Sequence, residues 1–144
     1  MREILFRGKR TDNGEWVYGN FVRGCDEKYA YIVEFGNKEM CRNYVNVNPD
    51  TVGQYTSLTN KNGTKIFEGD VVTAPYIDPI FHSVWNEGNL TENAVVKYAD
   101  SMFYIEYVES KQKITLFGLL SGAKEAEVIG NIHDNKLEDF QNGC

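Results

Sequence analysis

The feature that most constrains this chain is its punctuation. Short runs of aromatic and β-branched residues are cut at close intervals by turn-forming groups. Asp12-Asn13-Gly14, Gly24-Cys25-Asp26, Asn48-Pro49-Asp50 and Asn62-Gly63 are the clearest. Asn-Gly and Asp-Gly pairs supply the positive φ angles that tight hairpin turns need. No stretch keeps a 3.6-residue apolar period for long, so the chain cannot be a bundle of amphipathic helices. Many short strands joined by such turns predict a mainly β fold.

The predicted strands follow from alternation. Glu3–Arg7 and Glu15–Arg23 form the first hairpin, with Trp16, Tyr18 and Asn20 on one face and Val17, Gly19 and Phe21 on the other. Tyr29–Phe35 and Tyr44–Val47 follow, then an extended segment, "TVGQYTSL". Further along, Asn93–Ala99 and Phe103–Glu109 pair through the turn "DSM", and Ile114–Phe117 and Glu127–His133 complete the set. The segment "LLSGAKEAE" is a short helix candidate, the tail "DNKLEDFQNGC" a helical turn, and Ile77–Glu92 a long loop. Loops of that length are commonly functional.

The stretch "NGTKIFEGDVV" (62–72) poses a choice between an acidic site and a turn. Two carboxylates with no third ligand are a poor metal site. A turn explains every residue. Ile66 and Phe67 pack inward, Gly69 takes a conformation closed to residues with a Cβ, Asp70 accepts from turn N–H groups, and Val71 and Val72 launch a strand. This order of turn, long loop, paired strands and late strand is similar to an SH3-like small barrel. The expected division is therefore an N-terminal β subdomain over 1–49 and an SH3-like barrel over 50–144.

Bulk properties exclude several function classes. At 144 residues and 42% apolar content the chain can build a core without metal or disulfide. A net charge of −6 disfavours non-specific binding to nucleic acid or anionic membrane. Cys25, Cys41 and Cys144 form no CxxC pattern, and an odd number reads as free thiols in a reducing cytoplasm. The start "MREILFRGKR" lacks a signal-peptide core, and no run is long and apolar enough to span a bilayer.

Catalytic constellations are missing as well. The histidines are His82 and His133; His133 and Asp134, adjacent in a predicted strand, would point to opposite faces. Ser101 and Ser121 sit in no GxSxG elbow, and the glycines form no phosphate-cradling motif. No catalytic residue, cofactor or metal ligand is expected. Two surfaces remain. Trp16, Tyr29, Tyr31 and Phe35 are candidates for an oligomer interface, because interfaces favour aromatic residues. Arg7, Lys9 and Arg10 stand among aromatics and are candidates for contacting single-stranded nucleic acid.

Three segments, "REILFRGKRTDNGEWVYGNFV", "DTVGQYTSLTNKNGTKIFEGDVV" and "EVIGNIHDN", occur in an order that resembles the YopX family of phage and prophage proteins. They span most of residues 2–135. "EKYAYIVEFGNKEMC" and the loop Tyr76–Asn93 depart from the family pattern. The resemblance implies a phage-derived protein, an SH3-like C-terminal part and self-association, and brings no catalytic residues. The expected function is a non-enzymatic, cytoplasmic, self-associating adaptor or assembly protein that binds a phage or host protein. The alternative is a nucleic-acid accessory factor using the basic hairpin.

Overall fold

A computed structural model describes residues 1–35, 42–75, 91–115 and 126–141. The expected loop 76–93 (apart from its last three residues), most of the "LLSGAKEAE" helix, His82, Ser121, Cys41 and Cys144 lie outside the described residues. The described residues hold eleven strands and two short 3-10 turns, so the mainly β expectation is met. The chain divides into two compact units, Met1–Ser57 and Leu58–Cys144.

The first unit starts with β1 (Phe6–Lys9), β2 (Trp16–Arg23), β3 (Ala30–Phe35) and β4 (Arg42–Val47). They form an antiparallel meander. The Asp12-Asn13-Gly14 turn joins β1 to β2 as expected, with Gly14 at φ 72° and the Asn13 side chain accepting from the Glu15 N–H. Alternation puts Val17, Ala30, Ile32, Val45 and Val47 into one core, flanked by Phe6, Phe21 and Val52. The rings of Phe6 and Phe21 lie 5.5 Å apart across it.

This meander curls until its ends meet. Arg10 bridges to Val47, the Thr11 N–H donates to the Asn46 carbonyl, and the Asn48 N–H donates to the Lys9 carbonyl. A 3-10 turn at Pro49–Thr51 locks the junction. Its Thr51 hydroxyl accepts from the Lys9 N–H and donates to the Asn48 carbonyl. Curling brings backbones too close for side chains at two points. A Cβ on Gly19 would lie 2.1 Å from the Val33 carbonyl oxygen, and one on Gly8 would lie 3.0 Å from the Val47 side chain.

β5 (Gly53–Thr59) pairs with β1, Phe6 opposite Gln54 and Arg7 opposite Gly53. The first sheet then runs β4-β3-β2-β1-β5-β6, where β6 is Lys65–Phe67. The segment "TVGQYTSL" is extended as expected. Most of it, however, lies in the first unit, so the observed division falls later in the chain than residue 49. The first strand also sits later than the expected Glu3–Arg7. Its span is fixed by the pairings of Lys9 with Trp16 and Phe6 with Gly19.

The second unit contains β7 (Asp70–Pro75), β8 (Thr91–Ala99), β9 (Met102–Tyr107), β10 (Lys113–Thr115) and β11 (Glu127–Asn131). Their order is β10-β9-β8-β7-β11, all antiparallel. A closed SH3-like barrel was expected here, and that expectation is corrected: among the described residues β10 and β11 are the two ends of an open sheet. The pairings give the reason: among the described residues β10 pairs with β9 alone and β11 with β7 alone.

Both faces of this sheet carry apolar clusters. Ile66, Val72, Val96, Ile105 and Tyr107 centre the larger one. Val71, Val95, Val108 and Phe140 form the smaller one. Phe140 is delivered by a 3-10 turn at Leu137–Phe140, the helical turn expected of the tail, and its carbonyl accepts from the Asn93 amide.

The stretch 62–72 folds as a turn into a strand. Ile66 and Phe67 are buried, Gly69 has φ 89°, and the Asp70 carboxylate, 2% exposed, accepts from the Phe67 N–H at 2.8 Å. Its partner motif arrives from β11, where Asn131 pairs with Asp70 after a bulge between Val128 and Gly130. Here one expectation fails: β11 stops at Asn131, so His133 and Asp134 are turn residues and not strand neighbours. The Asn131 side-chain oxygen accepts from both of their N–H groups.

Candidate interaction surface

The first sheet presents a second face, opposite its core. Strand alternation assigns it Arg7 and Lys9 from β1, Trp16, Tyr18 and Val22 from β2, Tyr31 and Val33 from β3, and Tyr44 from β4. Members of both candidate sets predicted from sequence therefore share one face, and the structure treats the two sets differently.

The basic set is largely occupied. Arg7 is only 6% exposed, and its guanidinium lies 4.5 Å from the centre of the Trp16 ring. Lys9 approaches the same ring at 5.7 Å. Such stacking draws the cation to the electron-rich ring face. Arg10 forks onto Asp12 through two hydrogen bonds of 2.8 and 2.7 Å. The bond from Arg10 lowers the Asp12 carboxyl to about 2, and the bond from Asp12 raises the Arg10 guanidinium in turn. The three cations are thus spread over a buried stack and an ion pair. They do not form an exposed row.

The aromatic set is open. Tyr29 is 50% exposed and Tyr44 56%, while Tyr31 is half-buried between them in sequence register. Trp16 is half-buried under Arg7 and Lys9, away from the tyrosines along β2. Phe35 ends β3, and its side chain lies outside the described residues. The structure thus brings Tyr29 and Tyr31 together and leaves Trp16 to the cations.

A depression of about 580 Å³ opens where the tyrosines meet the β2–β3 turn. Its lining includes Val22, Cys25, Asp26, Tyr29, Tyr31 and Tyr44. The turn is held by the Gly24 N–H on the Tyr29 carbonyl and the Tyr29 N–H on the Asp26 carbonyl. Gly24 is required there, because a Cβ would lie 2.6 Å from the Tyr29 carbonyl oxygen. Arg23, also on the rim, reaches Glu27 at 3.7 Å. Cys25 is exposed and free. Tyr44 and Val22 were absent from the sequence candidates. Their signal was the phase of alternation: Val45 and Val47 face the core, so Tyr44 must face away.

Elsewhere, no group of three or more His, Cys, Asp or Glu among the described residues is placed to hold a metal ion. No helix among them is long and apolar enough to cross a membrane.

Comparison with known proteins adds the family. The model of the YopX protein family matches residues 5–138. No curated protein matches the chain. Among solved structures, the crystal structure of protein EF1440 from Enterococcus faecalis is similar, with a TM-score of 0.53 and 20% sequence identity. The likeness covers 94% of this chain and 96% of that one, and it shows a shared fold.

Proposed function

The chain belongs to the YopX family, and we propose that it is a non-enzymatic, self-associating adaptor whose tyrosine-lined depression contacts a phage or host protein in the bacterial cytoplasm. One observation carries this reading. Tyr29, Tyr44 and Val22 are exposed side by side over Tyr31, on a sheet face whose opposite side already fills the core. Contiguous exposed apolar surface of this kind marks contact sites, and tyrosine is enriched in them.

Nucleic-acid binding through the basic hairpin is the weaker reading. Arg7 is buried and Arg10 is matched to Asp12, so few cations are left to release counterions. The two readings separate by experiment. Light scattering of protein purified without nuclease should report a multimer free of nucleic acid. Capture from infected cells should yield a protein partner that survives nuclease and is lost in the Tyr29→Ala/Tyr44→Ala variant. A species carrying nucleic acid that salt displaces would overturn the adaptor reading, and a monomer at high concentration would remove self-association from it.

A further inference from the structure

The depression has a chemistry as well as a shape, and we infer that it receives the cationic side chain of a lysine or arginine on the partner protein. The inference rests on the contact reading above and names what that contact recognises. Three tyrosines line the site, and their ring faces are electron-rich, which favours an approaching cation. Val22 adds an aliphatic surface for the methylene stem such a side chain carries.

Charge at the rim agrees. Asp26 lines the depression, and its carboxylate accepts from a backbone group, the Lys28 N–H at 3.1 Å. Arg23 also lines the depression, and its guanidinium lies 3.7 Å from the Glu27 carboxylate. The whole chain carries −6, which attracts a basic partner over longer range. The first unit already contains this recognition in miniature, since Arg7 rests on Trp16 on the same sheet face. At about 580 Å³ the depression has room for such a side chain with part of the peptide that bears it.

The test uses the intact protein and two acetylated, amidated tripeptides, Leu-Arg-Leu and its citrulline analogue, which is nearly isosteric but uncharged. Amide NMR titration should shift resonances of residues 22–31 and Tyr44 with the arginine peptide. Binding should be about threefold or more weaker with citrulline, the scale expected of an exposed cation over tyrosine. Asp26→Asn should narrow that difference, Tyr44→Ala should weaken the arginine peptide, and Tyr44→Phe should restore it. Equal binding of both peptides would overturn the cation inference while leaving the depression as a contact surface. No shift with either peptide would overturn the inference and the contact surface together.

Discussion

The two units solve the same problem, a short antiparallel meander with no α-helix among the described residues to cover it, in opposite ways. The first curls β1 to β4 until the ends meet at Arg10 and Val47, so one face becomes a sealed interior. The second stays open and covers both faces of its sheet, one with the cluster around Tyr107 and the other with Phe140. Curling needs backbones in close approach, so its weak points are glycines. Covering needs apolar side chains brought from a distance, so its weak points are those anchors and the turns that aim them.

Substitutions that target each device should separate the units. Gly19→Ala should act hardest. Its Cβ would meet the Val33 carbonyl oxygen at 2.1 Å, an overlap that only backbone displacement relieves. We expect a loss of about 3 kcal/mol or more, or failure of the first unit to fold. Gly130→Ala in the second unit meets the Asn135 and Phe140 side chains instead, which can move, and should cost less. Urea unfolding of both variants, followed by tyrosine and tryptophan fluorescence and by NMR, checks the ranking. Equal losses would break the comparison.

Phe140→Ala should cost about 2–3 kcal/mol, below the fully buried range because Phe140 sits at 9% exposure. The loss should appear in resonances of Val71, Val95 and Val108 and spare those of Ile32 and Val47. Asp70→Ala should cost about 2 kcal/mol by removing the charged acceptor of the Phe67 N–H. Amide exchange at Phe67 reads this directly, and unchanged protection would refute the role.

The smallest effect lies at the first hairpin. Asp12 titrates at about 2 against an ordinary 3.8, so its bond to Arg10 is fully present above pH about 4 and fades as pH falls toward 2. A carboxyl depressed in the folded state stabilises above its unfolded pKa and loses that contribution on acidification. Both groups are exposed, so solvent screens the pair and stability should barely respond. Arg10→Gln should instead move the Asp12 NMR titration midpoint back toward 3.8. An unmoved midpoint would break the assignment of the shift to Arg10.

Much of the fold was legible because its information is local. Asp12-Asn13-Gly14 specified a turn, the alternation of β2 specified its faces, and Ile66 to Val72 specified a buried turn into a strand. What was not legible is non-local. Gly53 and Gln54 carry no mark of pairing with Arg7 and Phe6, the pairing that joins β5 to the first sheet. Closure of the second sheet depended on which strands pair at its two ends, and alternation does not give strand order. At the candidate site, Tyr29 and Tyr31 were visible as surplus aromatics. Arg7 was a candidate for contacting nucleic acid, and its burial against a neighbouring strand's tryptophan was not visible because it follows from register and not from residue type.

The placement of β11 has a temporal consequence. β7 acquires β8 on one side as soon as that strand has been synthesised, but its other side is covered only by β11, which follows β8, β9 and β10 in the chain. On the ribosome, Asp70–Pro75 therefore waits as an uncapped strand edge of the kind that recruits foreign strands. The buried Asp70 sits at the start of that edge and, in the finished protein, holds the Phe67 N–H.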